Sequence, residues 1–197
     1  MSAWKAGGGL IRAVDTLVTR AVDRVLLTEE RVTSAAEGKQ LLARQVDNEA
    51  LASDIQRVIV LAVPIIRTLA RGARFVKVPW VMIGSTAVSM GIAVRTGVRE
   101  IQVIASLVAH RLERATGLPS EPALVKKLAI DLYLSPRRES KLTDDKMRLA
   151  RLTRKWLLLG AFGRKTSKRA GKALDAADRL DPVALQERWA ALHRTEG

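Results

Sequence analysis

The feature that most constrains the fold is an uncharged stretch from Val78 to Val94, with the sequence VPWVMIGSTAVSMGIAV. Its 17 residues include no Asp, Glu, Lys or Arg, whereas basic residues stand close to both of its ends. A helix of this length reaches about 25 Å, slightly less than the roughly 30 Å of a bilayer's hydrocarbon core. A segment of this composition has to be buried. Lipid, the protein's own interior and a partner protein are the three environments that can bury it.

Small residues recur in this segment at the spacing of a helix-packing face. Gly84, Ala87 and Gly91 lie near one side of the predicted helix, and two serines stand four residues apart. Small residues let helix backbones approach closely, and serine hydroxyls can donate across the contact. Trp80 lies at the end of the segment, where interfacial tryptophans occur. We therefore predict that these residues act in membrane insertion or helix packing: Trp80, Gly84, Ser85, Ala87, Ser89 and Gly91.

The basic residues around the segment do not orient it across a membrane. Residues 58–77 contain four arginines and lysines, and residues 95–114 also contain four. The positive-inside rule needs an excess on one side, so it assigns no cytoplasmic end here. A full span, a shallow or re-entrant insertion, and burial of a helix pair within protein all stay open.

The positive charge of the chain is concentrated in its last third. The formal net charge is +14, and residues 137–172 hold 13 basic and 3 acidic residues. A field of one sign over such a short stretch favours an anionic partner, and anionic lipid, nucleic acid and acidic protein all fit that description. We expect anionic membrane lipid, and we keep nucleic acid and a protein partner or homo-oligomer as alternatives.

The helix predicted over residues 144–162 lies inside this basic region. Leu149, Leu152, Trp156 and Leu159 form one face, and basic residues form another. This pattern is typical of a helix on a membrane surface, and equally of an ordinary helix packed on a core. We predict anion binding by the basic residues of this helix and of the stretch after it: Arg148, Arg151, Lys155, Arg164, Lys165, Lys168 and Arg169.

Helical periodicity recurs along most of the chain. Residues 10–27 carry apolar residues at three–four spacing after a glycine run that reads as a flexible lead-in, and Ser34 to Glu37 has the spacing of a capping box. A further helix is predicted over residues 54–69. Gly97 is a candidate for a break or a bend after the central segment, and residues 160–172 read as a basic loop or a frayed helix start.

These patterns predict an all-α fold: a helical bundle of about six to eight helices with one strongly apolar central helix. Residues 1–136 would form a helical core that includes the apolar segment 78–94. Residues 137–197 would form a basic helical C-terminal region packed on the same domain.

The residues that usually carry catalysis or metal binding form no recognisable pattern here. The chain has no cysteine, and neither of its two histidines has a carboxylate or a second histidine at metal-ligand spacing. Gly171-Lys172 does not complete a phosphate-binding loop, because Ala173 follows the lysine and Thr166 stands where the first glycine is needed. We predict no catalytic residue, no metal site and no cofactor.

Together these features favour a non-enzymatic protein that works at the cytoplasmic face of a membrane, peripherally or shallowly inserted. The apolar helix would associate with the bilayer and the basic region would hold anionic headgroups. One alternative is a soluble helical protein that binds nucleic acid through residues 137–172. Another is a soluble adaptor or oligomer with its apolar helix buried at a protein interface, which would place the protein in the cytoplasm.

Overall fold

The computed structural model describes residues 2–29, 31–43, 80–136, 145–162, 167–183 and 187. Within these ranges the chain is helical without any strand, which confirms the all-α prediction. The helices are α1 (Ser2–Leu27), α2 (Ala35–Ala43), α3 (Trp80–Thr116), α4 (Pro122–Leu134), α5 (Asp145–Phe162) and α6 (Ser167–Asp178). The helix predicted over residues 54–69 lies outside the described residues.

The chain divides into two compact units, and each is assembled from separate pieces of sequence. The first, called unit A below, contains residues 1–17, 46–98 and 149–166. The second, called unit B, contains residues 18–45, 99–148 and 167–197. Helices α1, α3 and α5 each contribute residues to both units.

Helix α1 shows why the three–four spacing is a reliable signal. Its apolar residues at that spacing, from Leu10 to Val25, are buried, whereas Arg12 and Arg24 are exposed. The interpretation of the preceding glycines as a flexible lead-in was wrong, because α1 already begins at Ser2 and includes Gly8 and Gly9. A helix that is held by its buried stripe accepts glycines at a cost of about 1 kcal/mol each.

Helix α3 runs without interruption for 37 residues and contains most of the apolar segment in its first half. The predicted break at Gly97 was wrong, since the helix continues through that residue. Gly97 instead has a packing role: a Cβ atom built there would overlap the indole ring of Trp156. Among the α3 residues whose burial the structure describes, which begin at Met90, most of the buried ones lie in the second half, from Val98 to Leu112.

Helix α2 begins at the predicted capping box, but the Glu37 side chain bonds the residue before Ser34. The Ser34 hydroxyl accepts a hydrogen bond from the Glu37 backbone N–H at 3.3 Å. The Glu37 carboxylate, however, accepts from the backbone N–H of Thr33 at 2.7 Å and from the Thr33 hydroxyl at 2.9 Å. These hydrogen bonds stabilise the charged form and lower the pKa of Glu37. Helix α2 therefore has a fixed start.

Glu113 on α3 fixes two connections in unit B. One oxygen of its carboxylate pairs with the Arg31 guanidinium in the connection that precedes α2. The other oxygen accepts the backbone N–H of Ser120 at 3.1 Å, just before α4 begins. Ser106 adds a second bond to the first connection, because its hydroxyl accepts the Val32 N–H at 2.9 Å. Polar residues of α3 thus hold both chain segments against the same helix.

Helices α2 and α6 pack closely at Gly38, which is buried. A Cβ atom at this position would lie 3.0 Å from both terminal carbons of Leu174 and 3.2 Å from Cγ1 of Val103. Both neighbouring side chains are buried and have little space into which to move. The absence of a side chain at Gly38 therefore sets how closely these two helices approach.

We expect Gly38→Leu to lower the free energy of unfolding by about 1–3 kcal/mol, because the added side chain overpacks this crossing. Gly171→Ala is the matched control, since this glycine also lies in a helix but its Cβ would make an ordinary contact of 3.6 Å with Lys39 Cε. Helix propensity predicts a gain of about 1 kcal/mol for that change. Urea unfolding followed by circular dichroism measures both. Equal stability of the two variants would contradict the close-packing argument.

Among the helices that the structure describes, none combines the length and the hydropathy needed to cross a bilayer.

Candidate anion-binding surface

The apolar face of α5 is an interior face. Leu152 and Trp156 are completely buried, Leu149 is nearly so, and Leu159 is half-buried. Between them, the Thr153 hydroxyl donates to the Leu149 carbonyl at 2.8 Å, which satisfies a polar group within the buried side. Of the two interpretations of this stripe, core packing is therefore correct for Leu149, Leu152 and Trp156.

The opposite face of α5 carries cations and an apolar side chain on the surface of unit A. Arg151 and Arg154 are exposed, and Leu158 has 47% of its surface exposed. Their spacing of three and four residues places them along one side of the helix. Lys155 is half-buried beside them. The surface formed by Arg151, Arg154 and Leu158, called the arginine–leucine face below, thus presents positive charge next to an accessible aliphatic group.

The contact between Trp156 and Gly97 places α5 against the first half of α3 within unit A. Glycine at this position leaves room for the indole ring, so the two helices approach closely. The α3 residues of this unit include the apolar segment from Trp80 onward. Ile92, near the end of that segment, has 60% of its surface exposed, whereas Val94 is buried. One unit therefore holds both the apolar segment and the arginine–leucine face.

The residues predicted to act in membrane insertion or helix packing all lie in the first half of α3. Gly91 is buried, whereas the side chains of the other five lie outside the part of the chain that the structure describes. These residues are Trp80, Gly84, Ser85, Ala87, Ser89 and Gly91.

Arg148 lies on the buried side of α5, in unit B. Its side chain is 4% exposed and pairs with the Asp131 carboxylate of α4, which is 16% exposed. Burial lowers the pKa of Arg148 to about 10, so the guanidinium still carries its charge at neutral pH. The structure therefore places this predicted anion-binding residue in an internal ion pair, where its cation is engaged by a carboxylate of the protein itself.

Lys168 and Arg169 lie in the first turn of α6, also in unit B. Lys168 is exposed. Arg169 reaches back to the end of α4, where its Nε donates to the Tyr133 carbonyl at 3.0 Å and its Nη2 donates to the Leu134 carbonyl. These carbonyls belong to the last turn of α4, where no N–H group of the same helix is placed to donate to them. Arg169 thus caps one helix with a side chain from another.

Two predicted anion-binding residues, Arg164 and Lys165, lie outside the described residues. The structure adds two residues that the sequence argument missed, Arg154 on α5 and Asp131 on α4. Arg154 follows Arg151 by three residues, a spacing that should have placed it in the same set. Asp131 gave no local signal, because only the packing of α4 near α5 within unit B brings it to Arg148.

Comparison of the chain with protein-family models, with curated proteins and with solved structures finds no match. The functional argument accordingly rests on the residues of this chain.

Proposed function

We propose that the protein is a non-enzymatic helical protein that binds the anionic lipid headgroups at the cytoplasmic face of a membrane. The observation that carries the proposal is the composition of unit A, which combines the arginine–leucine face with the apolar first half of α3. Peripheral binding to a bilayer needs both positive charge and apolar side chains that enter the headgroup region. Leu158 and Ile92 are accessible apolar groups of this unit.

The charge of the chain supports the same conclusion. Residues 137–172 contain 13 of the 34 lysines and arginines. Each cation near an anionic membrane surface contributes about 1 kcal/mol, and this attraction fades within a Debye length of about 8 Å at physiological salt. Membrane affinity should therefore be strong at low salt and decrease as salt is added.

The test replaces the two arginines of the arginine–leucine face together, as Arg151→Gln with Arg154→Gln. Loss of two contributions of about 1 kcal/mol each corresponds to about 30-fold weaker binding. Cosedimentation with phosphatidylglycerol-containing vesicles measures this, and pure phosphatidylcholine vesicles give the charge-independent baseline. Leu158→Gln should weaken the binding further, since it removes the aliphatic group without changing the charge.

Arg12→Gln with Arg114→Gln is the matched control, because both arginines are exposed and the change in net charge is the same. If the control weakens vesicle binding as much as the α5 variant, binding follows net charge alone and the assignment to α5 is wrong. Tight binding of duplex DNA at physiological salt without vesicle binding would favour the nucleic-acid alternative. A stable homo-oligomer without vesicle binding would favour an interface role for the apolar helix.

A further inference from the structure

Unit B contains a groove that the proposed function does not use. It has a volume of about 500 Å³ and runs along one side of α6, where that helix faces the end of α4. This volume lies in the range of pockets that hold small molecules. Three of the lining residues lie on one face of α6, at spacings of three and four positions, and two more follow directly after the helix ends at Asp178. The groove is lined by Leu132, Pro136, Lys172, Asp175, Ala176, Arg179 and Leu180.

The lining combines an aliphatic part, called the floor below, with two cations and the carboxylate of Asp175. Leu132, Ala176 and Leu180 supply aliphatic surface. Lys172 and Arg179 are exposed and separated by seven residues, or about 10 Å along the helix axis. Both side chains are long enough to bend toward a ligand lying between them. The groove therefore offers both aliphatic contact and positively charged side chains to a ligand.

The two acidic residues of α6 are paired with cations on other helices. The Asp175 carboxylate accepts a hydrogen bond from Lys39 Nζ at 2.7 Å. The Asp178 carboxylate pairs with Arg111 at 2.9 Å, and Arg111 also donates to the Leu180 carbonyl. Within the part of the chain that the structure describes, the side chains of Lys172 and Arg179 form no ion pair or hydrogen bond. The groove thus keeps two cations available to a ligand.

We propose that this groove binds a small anionic amphiphile, a molecule with a carboxylate or phosphate head and a short aliphatic chain. The anionic head would pair with Lys172 or Arg179, and the chain would lie on the floor between them. A nucleotide is a poor fit, because the described residues of the lining include no aromatic side chain on which a base could stack. A compact inorganic anion would leave the apolar floor uncovered, so both parts of the ligand contribute to binding.

The first experiment titrates the full chain with octyl phosphate below its micelle concentration and measures affinity by calorimetry. Inorganic phosphate serves as a control that carries the anionic head alone. Octyl glucoside serves as a control with the same aliphatic chain and an uncharged head. We expect octyl phosphate to bind at least about tenfold more tightly than either, since a hydrogen bond to a charged group contributes about 1.5–3 kcal/mol. Equal binding of octyl glucoside, or no binding of octyl phosphate, would overturn the proposal.

The second experiment assigns the binding to the groove. Lys172→Gln and Arg179→Gln together should weaken octyl phosphate binding by more than about tenfold. Lys168→Gln is the matched control, because Lys168 is an exposed lysine on the same helix that does not line the groove. Ala176→Phe should abolish binding by filling the floor, and circular dichroism checks its fold. If Ala176→Phe fails to fold, the double variant Lys172→Gln with Arg179→Gln still tests the site. If Lys168→Gln weakens octyl phosphate binding as much as that double variant does, the assignment to the groove is wrong.

A third measurement identifies the source of the ligand. If the glutamine pair weakens binding both to octyl phosphate and to phosphatidylglycerol vesicles, the groove takes a membrane lipid headgroup and the proposal stands. If only octyl phosphate binding falls, the groove takes a free amphiphile and the proposal also stands. The arginine–leucine face uses different residues. Arg151→Gln with Arg154→Gln should therefore leave octyl phosphate binding unchanged, which separates failure of this site from failure of the proposed function.

Discussion

Replacing Trp156 with alanine is expected to lower the free energy of unfolding by about 3–5 kcal/mol, among the largest effects of any single substitution in this chain. Trp156 is completely buried, and its indole ring rests in the space that the missing side chain of Gly97 leaves on α3. Truncation removes the apolar contact and opens a cavity that a continuous helix cannot collapse to fill. Urea unfolding followed by circular dichroism at the helix band measures the loss.

A double-mutant cycle separates this close packing from simple burial. In the parent protein, Gly97→Ala should be destabilising, because its Cβ would overlap the indole ring. In the Trp156→Ala background the same change should be favourable by about 1 kcal/mol, since alanine is the better helix former once the ring is gone. The sign of the Gly97→Ala effect should therefore reverse between the two backgrounds. The same destabilisation in both would show that Gly97 has some other role.

Replacing Arg148 with methionine is the second change expected to have a large effect, about 3–5 kcal/mol. Arg148 and Asp131 form an ion pair in which both side chains are largely buried, and the guanidinium keeps its charge at neutral pH because burial lowers its pKa only to about 10. Methionine fills similar space but removes the counter-charge that Arg148 gives to the largely buried Asp131 carboxylate. Removing one partner therefore lowers the free energy of unfolding by more than the intact ion pair adds to it.

The double variant Arg148→Met with Asp131→Leu is the control for this prediction. Replacing both partners of a buried pair by apolar residues is often neutral or stabilising, so the double variant should recover most of the stability lost by Arg148→Met alone. Urea unfolding compares the three proteins. If the double variant is as unstable as Arg148→Met, the loss comes from the shape of the arginine side chain and not from an uncompensated carboxylate.

Local sequence determined the helical class of this protein. Apolar residues at three–four spacing predicted α1, and the capping residues Ser34 and Glu37 marked where α2 begins. These signals depend on backbone geometry within a few residues, so they can be read before any packing is known. The same holds for the concentration of positive charge in residues 137–172, which is a property of composition alone.

Tertiary structure decided what individual residues of those helices do. Gly97 carries the signal of a helix break, yet in the fold it contacts Trp156. The two residues are 59 positions apart, so nothing near Gly97 in the sequence indicates this contact. Arg148 resembles its exposed neighbour Arg151 in type, but an aspartate on another helix turns it into an internal ion pair. Arg169 likewise uses its guanidinium to cap the end of α4. Burial and pairing depend on which segments meet in space, and periodicity along one helix carries no information about its neighbours.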